Sequence, residues 1–216
     1  MDLSGTDRVA EREDARMGAV VRADIDDVDV LSQVIADAFH DLPPSQWLIA
    51  DPDSRRAVYP VYFQLYVEQA MMAGVVHTTG DRDAVALWIP VTEGESPGPP
   101  SACAERLAMI TRPWTDRFLA FDEALGSRHP LGFPHHYLPI LAVRPDRQGR
   151  GIGTGLLNAY HAVLDDRKMA AYLEAPSPRS RRFYLRHGYT DFGAPVPLPG
   201  GPQLYAMWRP AHNGRQ

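Results

Sequence analysis

A chain of 216 residues, 44% hydrophobic and 23% charged, has the make-up of one globular domain and excludes a mostly disordered polymer. Its 22 basic residues against 27 acidic ones leave a net charge of −5 with no basic stripe, which argues against a duplex-binding protein. No apolar run reaches the roughly 18 residues of a membrane span, and the single cysteine, Cys103, has no partner for an internal disulfide. Residues 1–16 are polar and densely charged, which predicts a loose N-terminal arm without the apolar stretch of a signal peptide. A cytoplasmic protein is therefore expected, with one domain over 17–210 and a short tail over 211–216.

In chain order, 19–22 reads as a short first strand. Asp26 or Asp27 then offers an N-cap to a helix carrying Val30, Leu31, Val34, Ile35, Ala38 and Phe39 at helical spacing. Residues 41–53 read as a loop with prolines and Trp47, and 54–73 as a longer helix. A hairpin over 75–79 and 84–90 precedes a Pro/Gly-rich loop over 92–100 and a helical stretch over 101–125, broken near Pro113. The second half alternates: strand 137–143, helix 151–166, strand 171–174, helix 178–187, then two strands over 189–196 and 203–208. An α/β (α+β) architecture follows, a mixed central sheet of six or seven strands flanked by helices.

Gly149, Gly151, Gly153 and Gly155 fall between a strand and the apolar-periodic start of a helix. Free backbone N–H groups and the positive end of the helix dipole meet there with no side chains in the way, which suits a phosphate; a tolerant tight turn is the plain alternative. A P-loop is excluded, because it needs a lysine next to the loop and Lys168 is the only lysine. A dinucleotide fingerprint also fails: starting at Gly149, Gly151 or Gly153, its third glycine is replaced by Thr154, Leu156 or Asn158.

What remains is Q-x-x-G-x-G, Gln148 to Gly153, after L-A-V-x-P, Leu141 to Pro145. This resembles the acetyl-CoA signature of the GCN5-related N-acetyltransferase (GNAT) superfamily, and Y-L-E-A-P-S-P-R-S-R-R-F-Y-L-R-H-G-Y, Tyr172 to Tyr189, resembles its next strand and helix. Ala38 to Pro43, Trp88 to Pro90 and the L-E-A-P-S-P-R stretch are similar to its puromycin N-acetyltransferase-like, small-molecule branch. The resemblance implies a sheet splayed between its two central strands and a pyrophosphate held on the N–H groups of Gly149, Arg150, Gly151, Ile152, Gly153 and Thr154. It implies a pantetheine arm beside Leu141, Ala142 and Val143, with a main-chain N–H near Val143 polarising the thioester. Arg147 and Arg150 would add charge near the phosphates or stand as solvated surface arginines. Ser177 and Ser180 replace the family's frequent asparagines, one of which holds the pantetheine amide; Ser177 is equally a helix cap before Pro178. Tyr184 matches the general acid at the sulfur, with sheet packing as the alternative, and Glu174 at its strand end would take a proton from the incoming ammonium.

Other constellations weigh less. Gly94 to Gly98 matches G-x-S-x-G, but Pro97, Pro99 and Pro100 deny the following helix that a nucleophile elbow needs. Cys103 reads as a core residue. His129, His135 and His136 fit no metal spacing; His136, leading into the central strand, reads as acceptor wall or second base, with packing as the alternative. Phe39, Trp47, Tyr59, Tyr62, Phe63 and Tyr66 crowd one stretch, so Phe39, Trp47, Tyr66 and His136 are expected at an acceptor pocket for a planar or apolar amine. The expected activity is acetyl transfer from acetyl-CoA, without metal, to the primary amine of a small molecule, antibiotic-like ones included, by a monomer or homodimer. A protein or peptide N-terminal acetyltransferase and a non-catalytic acetyl-CoA sensor are the competing readings.

Overall fold

A computed structural model describes residues 18–96 and 104–212 of the chain. The arm over 1–16, the end of the tail, Cys103 and the Pro97–Gly98 part of the elbow-like motif lie outside them. The strands are β1 (Val20–Arg22), β2 (Val75–Thr79), β3 (Ala84–Val91), β4 (His135–Val143), β5 (Ala170–Ala175), β6 (Thr190–Asp191), β7 (Val196–Pro197) and β8 (Gln203–Arg209). The helices are α1 (Val28–Phe39), α2 (Pro43–Leu48), α3 (Pro52–Ala73), α4 (Ala104–Thr111), α5 (Thr115–Gly126), α6 (Ile152–Asp166) and α7 (Pro178–Leu185).

Eight strands form a mixed sheet in the order β1-β2-β3-β4-β5-β8-β6, with β7 also on β8, one more than the upper expectation. The expected strand over 189–196 is two short pieces, interrupted where Gly193 adopts φ +69°. Every pairing is antiparallel except β4 with β5. α1 and α3 cover one face through Leu31, Ile35, Tyr59 and Phe63, and α6 with α7 the other through Leu156, Leu157, Tyr160 and Tyr184. Trp88 of β3, wholly buried, stacks on Tyr160 at 4.4 Å between centroids. No helix among the described residues is long and apolar enough to cross a membrane.

Two local expectations are corrected. Asp27 does occupy the N-cap position of α1 but makes no side-chain cap bond to it; the capping box lies around the preceding 3-10 turn, where the Asp24 side chain accepts from the N–H of Asp26 and the Asp27 side chain accepts from the N–H of Asp24. The supposed loop over 41–53 contains α2, opened by Pro43 at a position where a missing N–H costs nothing.

Trp47 on α2 donates its indole N–H to the carbonyl of Pro199 at 3.1 Å and lies under the guanidinium of Arg117. It is pressed against Gly201, where an added Cβ would stand 2.3 Å from Trp47 Cδ1. Gly201→Ala must therefore push the indole off its seat and is expected to cost about 1–3 kcal/mol, as overpacking does; a urea unfolding titration measures it.

Candidate active site

The glycine loop begins where β4 stops. Pro145–Arg147 form one 3-10 turn, and Gln148 donates its side-chain amide to the carbonyl of Val143 at 3.1 Å, folding the chain back on the strand end. Buried Asp83 anchors the turn from the β2–β3 connection, with Arg144 Nη1 and Arg147 Nε each 2.9 Å from its carboxylate. Arg147 lines the cleft, but its charge is already engaged there. Gly149 (φ +79°) and Gly151 (φ +82°) hold the left-handed conformation that other residues resist, and nothing stands within 4 Å of a Cβ built on either. The glycines thus serve both backbone shape and open approach. α6 starts immediately, its first helical bond running from the N–H of Gly155 to the carbonyl of Gly151, so the N–H groups of 152–154 have no acceptor within the helix. Gly153 faces the strand end, where a Cβ would touch Val143 and Phe183 at 3.6 Å.

Beside the loop the sheet opens. β4 pairs with β5 only from His135↔Ala170 to Tyr137↔Tyr172, although β4 continues to Val143 and β5 to Ala175. On its other side β4 follows β3 throughout, with one irregularity: Leu87 pairs with Ile140 but Ile89 with Tyr137. Two steps on β3 match three on β4, so Leu138–Pro139 carries a bulge that re-aims the strand as the gap opens. Leu141, Ala142 and Val143 thereby present an unpaired edge to the cleft.

A cavity of about 780 Å³ runs from the loop along this gap to an aromatic chamber under α1, α3 and α5. Phe39 meets Phe63 edge-on at 5.6 Å, and Tyr62 and Tyr66 share a 2.8 Å hydrogen bond between hydroxyls. Glu174 near the end of β5 faces this chamber; Tyr137 donates its hydroxyl to Oε2 at 2.8 Å, while Oε1 has no partner. Burial pushes the Glu174 carboxyl up to about 7, only partly opposed by the hydroxyls of Tyr137 and Tyr172. Across the chamber, burial alone raises Asp122 of α5 to about 7. His129 also lines it. His135 Nδ1 lies 2.8 Å from the carbonyl of Phe133 and must hold the proton there, so its Nε2 accepts from His129 Nε2 at 3.0 Å. Burial, and then the neighbouring His135, hold His129 at about 4, so it is neutral near pH 7.

Tyr184, in the last turn of α7, lines the cleft next to the loop. Its ring is fixed by Phe183 and Tyr189 at 5.3 and 5.6 Å, and burial raises its phenol above the ordinary value. Ser177 caps α7, accepting from the N–H of Ser180 at 3.1 Å, and the two hydroxyls lie 2.9 Å apart, so the cap accounts for Ser177 without any ligand. Thr154 sits 3.1 Å from His187 Nε2 on the same wall.

The cleft therefore gathers Leu141, Ala142, Val143, Gly149, Gly151, Ile152, Gly153, Thr154, Glu174, Ser177, Ser180, Tyr184, Phe39 and Tyr66. Three expected residues stand apart from it. The Arg150 side chain points to solvent and donates to the carbonyl of Asp146, while its backbone stays in the loop. Trp47 is held against the turn at Gly201, as above. His136 lies on the α6 face, bonded through Nδ1 to the Tyr160 hydroxyl at 3.0 Å, because side chains alternate along β4 and Tyr137 takes the chamber side. Sequence reasoning passed over Asp122 and did not separate His129 from its neighbours. Asp122 follows buried Phe118 by one helical turn, and a carboxylate on an apolar stripe was the available signal. Among the described residues no group of three or more His, Cys, Asp or Glu is placed to hold a metal ion.

Residues 117–191 match the family model of the acetyltransferase (GNAT) domain. The whole fold is similar to the crystal structure of histone acetyltransferase HPA2 and related acetyltransferase from Corynebacterium glutamicum, at 29% identity and TM-score 0.69 over 91% of this chain and 97% of that one. It is similar in fold to arylalkylamine N-acetyltransferase 2 from Aedes aegypti, at 13% identity and TM-score 0.64 over 90% and 99% of the two chains. A GCN5-related N-acetyltransferase from Rhodopseudomonas palustris shares the fold at 13% identity and TM-score 0.54, over 89% and 94%. Because the matched segment runs through β4, the glycine loop, β5 and α7, the likeness to an acetyltransferase (GNAT) domain falls on the cleft itself and supports an acetyltransferase enzyme.

Proposed function

We propose that the protein acetylates the primary amine of a small molecule, as the puromycin N-acetyltransferase-like branch does. The observation that carries this reading is Glu174: a part-buried carboxyl whose Oε1 makes no hydrogen bond, raised to about 7, facing an aromatic chamber where the sheet opens. A base poised near the working pH is what an ammonium substrate requires before it can attack. When bound, acetyl-CoA supplies the acetyl group and departs as a thiol. The open backbone over 149–154 would hold its pyrophosphate, and the free edge of Leu141, Ala142 and Val143 its extended arm. Ser180 keeps hydroxyl capacity toward that arm, whereas Ser177 is occupied by its cap. Glu174 Oε1 accepts the proton of the amine, and the Tyr184 hydroxyl stands ready to donate to the departing sulfur. Phe39 and Tyr66 wall the acceptor side.

Thiol release by the purified chain, screened against aminonucleosides, aminoglycosides, polyamines, arylalkylamines and short peptides, tests the reading. Turnover of small amines supports it; turnover of peptides alone, or of none, overturns it. Gly153→Leu projects a side chain from the first turn of α6 toward the end of β4 and into the arm's path, and is expected to raise the acetyl-CoA KM about tenfold or more, equivalent to roughly 1.4 kcal/mol of binding. Initial rates with varied acetyl-CoA measure it.

A further inference from the structure

We infer that the acceptor carries a second cationic group besides the amine that is acetylated, and that Asp122 is the residue that holds it. The inference rests on the small-amine reading above and deepens it. Two carboxyl side chains from separate elements, Glu174 of β5 and Asp122 of α5, line one chamber. Glu174 is part-buried, and its Oε1 makes no well-aligned hydrogen bond, with the Tyr172 hydroxyl nearby also left without one. Among the described residues neither carboxyl forms an ion pair, and the arginines that line the cleft (Arg147, Arg179 and Arg186) belong to the glycine loop and the region of α7. The one histidine on the chamber wall is neutral near pH 7. Tyr66 and Tyr137 lie where each feels both carboxylates, so the two acids border a common space.

Carboxyls removed from water without a partner are costly, and proteins rarely keep two in one pocket unless something charged arrives. One reacting ammonium accounts for one carboxylate only. Its proton passes to Glu174, after which neither carries a charge. Asp122 takes no part in that exchange and is left for a cation that is not consumed. The surrounding rings of Phe39, Tyr62, Phe63 and Tyr66 add faces that attract ammonium groups and repel anions. The substrate class is thus a dibasic amine with an apolar spacer.

The test compares α,ω-diaminoalkanes of three to six carbons with the monoamines of equal length, using thiol release and a melting curve for each protein. In the wild type the best diamine is expected to exceed its monoamine at least tenfold in kcat/KM, and Asp122→Asn to bring that ratio close to one. Asparagine keeps the side-chain shape, and the wild-type ratio needs no variant at all. Turnover of monoamines with no diamine preference, or a preference unchanged in folded Asp122→Asn, overturns this inference alone. Absence of turnover with every amine overturns it together with the small-amine reading.

Discussion

Glu174→Gln is expected to lower kcat about 10²- to 10⁴-fold, the range lost when a positioned general base is removed. Glutamine preserves the volume, and its amide oxygen still accepts from Tyr137, so the loss belongs to proton transfer and not to packing. The wild-type rate should rise with pH through an inflection near 7, where Glu174 ionises, and the variant should lack it. Tyr137, Tyr172, Tyr66 and Asp122 are the titratable groups that face this carboxyl. The tyrosines stay protonated through neutral pH, and Asp122 titrates in the same window, so the profile of Asp122→Asn separates its contribution from that of Glu174. Stability should move the other way. A carboxyl raised from 4.5 to about 7 on folding binds its proton more tightly in the native state, so wild-type stability declines as pH rises across that interval. Near pH 8 the accumulated cost is on the order of 3 kcal/mol, and Glu174→Gln removes it. Denaturant melts at pH 5 and pH 8 should show a variant stabilised mainly at the higher pH. A variant with wild-type kcat would leave Glu174 a structural acid.

Tyr184→Phe is expected to lower kcat about 10²-fold with acetyl-CoA affinity little changed. The ring keeps its contacts with Phe183 and Tyr189, and the backbone stays pinned by hydrogen bonds from the N–H groups of His187 and Tyr189 to the Tyr184 carbonyl. Only the hydroxyl disappears. Burial keeps that phenol protonated at every pH at which the base works, so it remains a donor throughout. Reference pKa values of about 10 for a phenol and 8.5 for a thiol make complete transfer uphill, and burial of the phenol steepens it, so a hydrogen bond to the developing thiolate supplies most of the benefit. A donor with a more acidic thiol needs less help and should lose less rate in the variant. Equal losses for both donors would mark Tyr184 as packing.

Residues whose role is fixed by their own backbone were the readable ones. Gly149 and Gly151 are glycine because the chain there turns through positive φ, a local demand that shows in local sequence. The α6 stripe of Leu156, Leu157, Tyr160 and Leu164 is similarly self-contained. What escaped depends on distant partners. Whether His136 or Tyr137 enters the chamber is decided by the register of β4 against β3 and β5. The place of Trp47 is not legible locally, because its seat at Pro199 and Gly201 is supplied by chain more than 150 residues away. Asp122 acquires its character from burial that neighbouring residues do not reveal. α2 is hidden in the sequence because prolines usually punctuate, although Pro43 here begins the helix.

A strand margin normally endangers a protein at its outside, where any passing chain can pair with it. Here the margin lies indoors. From Leu138 to Val143 the β4 backbone is open on one side, yet α7 and the aromatic helices flank the opening. A folded neighbour cannot enter such a slot, so the usual hazard of self-association is removed without charging or shortening the strand. Only a slender, extended chain fits, and one bearing amide groups could extend the sheet inward. The protein's least complete secondary structure is therefore also its most selective filter. Amide hydrogens along this margin should exchange faster than those of neighbouring β3 and slow when the arm of the acyl donor is seated.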